Sequence, residues 1–141
     1  MILRIKFLAV VAMAAVLVAC GGGGDETPNF AGTYQISTVN LSGNTCGGSP
    51  TSSIAAGTDN VVQDGRQVSA SNGTIHGTVD GDNGGFTFTE TEIINGVTVV
   101  TTLTFRTSGS GESTFDVQLK ATGTAGNATC NITYSGTATK I

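Results

Sequence analysis

Tryptophan is absent from this 141-residue chain, histidine occurs once, and lysine plus arginine together number six. Two of those six, Arg4 and Lys6, stand at the extreme start, so the remainder carries only Arg66, Arg106, Lys120 and Lys140 against ten acids, a balance of −6. With no basic cluster there is no electrostatic footprint for nucleic acid. With one histidine and few cysteines there is no ligand set at zinc-site spacing. No Gly-x-Ser-x-Gly elbow is present, and Gly109-Ser110-Gly111 has the wrong spacing for one. Dinucleotide and phosphate-binding glycine loops are missing too. The chain reads as non-catalytic, with no cofactor and no metal.

Helical periodicity is also missing. Beyond the first twenty residues no window sets apolar residues three and four apart. Thr, Val, Ile and Phe instead alternate with polar residues between Gly, Asn, Asp and Ser clusters, the pattern of strands and turns.

The one long apolar run is Phe7–Ala19, preceded by Arg4 and Lys6 and followed by Cys20 and Gly21–Gly24. It falls short of the about 20 residues a spanning helix needs, and charge, length and a small final residue make it a secretory signal. Leu17-Val18-Ala19-Cys20 resembles a bacterial lipobox. That resemblance implies diacylation of the Cys20 thiol, cleavage just before it, and a membrane anchor. With Gly21 next, it implies the outer membrane. Residues 20–29 then form a flexible linker, and 30–141 are long enough for one domain and too short for two.

If Cys20 carries lipid, Cys46 and Cys130 remain as a pair in an exported chain, and a disulfide is the default. It would close a separation of 84 residues, which the chain-entropy account values at about 4–5 kcal/mol.

Eight strands are expected: 33–41, 60–63, 67–70, 74–80, 85–94, 97–107, 113–121 and 128–140. Tyr34 and Ile36 share one face of the first strand while Val39 and Leu41 fall on the other, so a bulge or crossing is expected near Ser37. Residues 42–58 lack alternation and read as a long loop. Turns are expected at Asp64-Gly65, Ser71–Gly73, 80–85, Asn95-Gly96, Ser108–Gly111 and Gly123–Asn127. The result is an all-β, antiparallel up-and-down meander, closing as a small barrel or folding over as a β-sandwich. Cys46 just past the first strand and Cys130 near the start of the last favour the barrel, because closure makes those strands neighbours. Phe30-Ala-Gly-Thr-Tyr34 resembles the first-strand motifs of lipocalins and avidins, with Tyr34 in place of their tryptophan. The resemblance implies a lipocalin-like shape and transfers no binding residue.

Pairing across Asn95-Gly96 sets Phe86, Phe88, Glu90, Glu92 and Ile94 on one face with Val97, Val99, Leu103 and Phe105. Two carboxylates on an apolar face are costly unless paired or solvated. Two arrangements remain open at this point. Glu90 and Glu92, with Phe88 and Phe105, would form the polar end of a cavity able to hold a cation or basic group. Alternatively a bulge turns the acids outward, or the barrel mouth is open to water.

The remaining polar motifs are ordinary. Asp80-Gly-Asp82-Asn83-Gly84 begins like a calcium loop, but Thr91 stands where the bidentate Glu belongs, so a simple turn is expected. His76 falls on the polar face of its strand. Asn40, Asn72, Asn127 and Asn131 head glycosylation-type triplets that belong to strand-and-turn composition.

Two classes of function follow. One is a lipid-tethered binding module for a small apolar ligand or an envelope protein. The other is a structural or protective envelope protein, such as a periplasmic inhibitor or assembly accessory. The strand aromatics are few enough to fill a core, which tilts the reading away from a roomy carrier.

Overall fold

The structure is a computed structural model in which residues 26–108 and 113–141 are described. The apolar leader, Cys20 and the glycine run lie outside the described residues, as do 109–111 of the turn expected at Ser108–Gly111 and the residue that follows.

Alternation and turn chemistry give ten strands among the described residues: β1 (Gly32–Ile36), β2 (Val39–Asn44), β3 (Ser53–Ile54), β4 (Gly57–Asp64), β5 (Gln67–Ala70), β6 (Ile75–Val79), β7 (Gly85–Ile94), β8 (Val97–Thr107), β9 (Thr114–Ala125) and β10 (Ala128–Lys140). All neighbours are antiparallel. β1, β4, β5, β6, β7, β8, β9 and β10 follow in order, and β10 returns to β1 through Tyr34–Ile36 against Ala138–Lys140. The sheet is therefore a closed eight-stranded barrel with β2 and β3 as additions, and the sandwich is set aside.

The expected irregularity near Ser37 is the break between β1 and β2. Ser37 donates its amide to the Thr137 carbonyl, and the Thr137 amide donates back to Ser37 Oγ. That local exchange resets the alternation, so Tyr34 and Val39 are both buried. Beyond the break β2 still runs along β10, but its other neighbour is β3 rather than β4.

The hairpin across Asn95 and Gly96 has the expected register from Ile94↔Val97 to Phe86↔Phe105. Both turn residues have positive φ, 51° and 80°, the requirement of a type I′ turn. Three expected boundaries move. The β4–β5 turn is Gly65-Arg66, with Asp64 paired to Gln67. β9 runs to Ala125 and the last turn shrinks to Gly126-Asn127, because Gly123 pairs with Cys130 as part of the ladder. The expected loop 42–58 contains the end of β2, all of β3 and the start of β4, since backbone pairing there needs no alternating pattern.

The core is aromatic. Tyr34, Phe86, Phe105 and Phe115 are fully buried. Phe86 stacks on Phe105 with centroids 4.7 Å apart, and Tyr34 meets Phe86, Phe105 and Phe115 edge-on. Each such pair adds about 0.5–1.5 kcal/mol beyond burial. Phe30 closes the lower end of the barrel against Phe86 and Phe115. Gly77 and Gly85 mark tight corners, where a Cβ would strike the Thr87 and Phe105 carbonyls respectively.

Candidate functional site

The barrel has a short side and a tall side. β5 and β6 hold 4 and 5 residues, whereas β7 through β10 hold between 10 and 13. The tall strands rise past the end of the closed ring as a wall, and the candidate site is the inner face of that wall.

Register fixes its rows. Phe86, Phe105 and Val117 lie in the packed core. One step up are Phe88, Leu103, Leu119 and Tyr134, of which only Phe88 is fully enclosed. Next come Glu90, Thr101, Ala121 and Ile132, then Glu92, Val99, Gly123 and Cys130. Beyond Phe88 every residue of β7 except the half-buried Ile94 is exposed, while Val99, Thr101, Ala121 and Ile132 are half-buried. The core is filled below, and an open, mostly apolar surface continues above it.

Glu90 and Glu92 share the face of Phe86 and Phe88, since no bulge interrupts the β7–β8 register. Both are exposed. Of the two arrangements left open by the sequence, water reaching the mouth is the one observed. Phe88 and Phe105 sit at 3% and 2% exposure, with Phe88 edge-on to both Phe86 and Phe105. They pack against other rings, and Glu90 stands beyond them on the exposed stretch.

The second landmark of the wall is the loop after β2. Cys46 and Cys130 form a disulfide, with Cα atoms 4.7 Å apart, inside the range a bridge accepts. Around it Thr45 donates its amide to the Asn131 carbonyl, the Asn131 amide donates to Thr45 Oγ1, and Tyr134 Oη donates to the Thr51 carbonyl at 2.9 Å. Residues 45–51 are thereby fastened to the upper part of β10.

No family model, curated protein or solved structure matches this chain.

Among the described residues no three His, Cys, Asp or Glu side chains gather as a metal-holding group. No helix among them is long and apolar enough to cross a membrane. The acidic β6–β7 turn is occupied by the protein's own cations. Arg106 Nη2 pairs with Asp82 Oδ2 at 2.6 Å and Nη1 reaches Asp80 Oδ2 at 3.4 Å. Arg66 donates to Asn83 Oδ1 and to the Val79 and Asp80 carbonyls. The Gly84 amide, and after it the Arg106 guanidinium, hold the Asp82 carboxyl below its ordinary range. His76 is exposed on the outer side of β6, opposite Ser69. Sequence reasoning missed the height difference between β6 and β7. The signal was present in the lengths of the two expected strands, seven residues against ten.

Proposed function

We propose that this protein is a lipid-anchored bacterial envelope protein whose barrel is a non-catalytic binding module, and that the module grips a protein partner on its upper wall. The carrying observation is the division of the barrel interior. Tyr34, Phe86, Phe105 and Phe115 fill its closed part, and the half-exposed apolar rows begin only above them. A filled interior leaves small apolar ligands without an enclosed pocket, whereas an open sheet face suits a macromolecule.

The anchor rests on Leu17-Val18-Ala19-Cys20, with Gly21 pointing to the outer membrane. Several acyl chains, at about 0.8 kcal/mol per buried methylene, make such an anchor durable. The entry of the chain into the fold supports the same picture. Gln63 Nε2 donates to the Pro28 carbonyl, Gln63 Oε1 accepts from the Phe30 amide, and Lys140 Nζ donates to the Asn29 carbonyl. These bonds hold Pro28, Asn29 and Phe30 at the lower end, so the chain from an anchor joins the barrel at the end opposite the upper wall.

Two measurements test this reading. Labelling with a palmitate analogue is expected to mark the processed protein that begins at Cys20 and to vanish in Cys20→Ala. Native mass spectrometry after mild extraction from the envelope is expected to show a stoichiometric protein partner. A bound small molecule in its place overturns the protein-partner reading.

A further inference from the structure

The first strand of the wall has a free edge. β6 pairs with β7 only through Gly77–Val79 against Phe86–Phe88, and its Ile75 and His76 pair with β5 alone. Among the described residues, Thr89–Ile94 is therefore bonded on one side only, to β8. The stretch has six residues, contains no proline or glycine, keeps an unbroken register, and is exposed along most of its length. It is as long as an average strand. An edge of this kind presents a row of unpaired amides and carbonyls, the template on which another chain adds a strand.

Its side chains select the occupant. Glu90 and Glu92 point to the inner side, and Thr89, Thr91 and Ile93 to the outer, with Ile93 76% exposed. A second copy fits poorly. Symmetric antiparallel pairing centred on Thr91 sets each Glu90 against the other copy's Glu92, and like charges directly opposite are destabilising. A strand with Lys or Arg two residues apart places a cation against each carboxylate instead.

We propose that the edge Thr89–Ile94 takes up an extended basic segment of a protein partner as an added antiparallel strand, with Lys or Arg opposite Glu90 and Glu92. The inference deepens the protein-binding reading above and rests on it. Read in its own direction, the segment has apolar residues opposite Ile94 and Ile93, then basic, polar, basic and polar ones. The backbone ladder supplies the attachment. The two charge pairs, exposed and individually weak, supply register and choice of partner.

The probe is the synthetic peptide Val-Val-Lys-Thr-Lys-Thr with blocked ends, added to the full protein purified from the envelope in detergent. Its companion carries N-methyl groups at alternate residues, which keeps the charge and blocks the ladder. The unmodified peptide is expected to bind and to slow amide exchange across Thr89–Ile94. Affinity is expected to fall at least about tenfold for the N-methylated peptide and by about two- to tenfold for Glu90→Gln/Glu92→Gln. Both glutamates are exposed, so the double variant keeps the fold. Equal binding of the two peptides, protection elsewhere, or no binding at about millimolar peptide overturns the inference, as does self-association through this edge. If the peptide fails while a stoichiometric protein partner is found, the strand-addition inference falls alone. If both fail, the protein-binding reading falls with it.

Discussion

Tyr34 donates its phenolic hydroxyl to the carbonyl of Phe30 at 2.7 Å, and the bond is buried. One residue closes the lower end of the barrel, the other stands at its centre, and this bond ties them. Tyr34→Phe keeps the ring contacts and orphans the carbonyl. A loss of about 1–3 kcal/mol in denaturant unfolding is expected, with the barrel otherwise intact by circular dichroism.

The same residue sets an alkaline limit. Burial pushes the Tyr34 phenol well above its ordinary value. The unfolded chain therefore ionises first, so stability is intact below pH about 10 and declines as pH rises above it. Unfolding followed from pH 8 to 12 is expected to show this decline, and Tyr34→Phe is expected to lose that part of it.

The disulfide fastens the region where β2 leaves the closed ring. Replacing both Cys46 and Cys130 by serine is expected to lower stability by about 2–5 kcal/mol, read by denaturant titration. In the native chain, neither of these cysteines is expected to react with a thiol reagent after denaturation unless a reductant is added first.

Phe105 and Ile93 contrast the packed core with the outer face of the free stretch of β7. Phe105 is stacked on Phe86 in the core, so Phe105→Ala is expected to cost about 3–5 kcal/mol. Ile93 is 76% exposed, so Ile93→Ala is expected to change stability by less than about 0.5 kcal/mol. A comparable loss at both sites would show that the outer face of β7 is covered at Ile93.

Asp82 is the carboxylate of the β6–β7 turn that accepts from both a backbone amide and a guanidinium. Its carboxyl is held down first by the Gly84 amide and then by Arg106. Its contribution is present above the ordinary carboxylate range and lost as pH falls through the lower folded value. Carbon-detected titration of Asp82 is expected to give a depressed midpoint. In Arg106→Gln the midpoint is expected to rise only part of the way, because the Gly84 amide remains.

Much of the site was legible from local chemistry. Asn95-Gly96 demands two positive φ values, so the β7–β8 register followed from two residues, and with it the common face of Phe88, Glu90 and Glu92. Cys46 and Cys130 marked the ends of neighbouring strands, which favoured a barrel over a sandwich. The short strand β3 was not legible, since two residues carry no alternation. The one-residue shift of the Gly65-Arg66 turn escaped as well, because Asp64 and Gly65 fit either placement.

What the sequence determined by itself is the alternation of apolar and polar residues, the turn positions that need positive φ, and the pairing of Cys46 with Cys130. These are local rules, or rules of chain order. Whether Glu90 and Glu92 meet water, and whether β7 has a neighbour beyond Phe88, were decided only by the tertiary structure. Both depend on where the pairing of β6 with β7 stops, at Gly77 against Phe88, and that is a relation between two strands that the residues of Thr89–Ile94 do not carry.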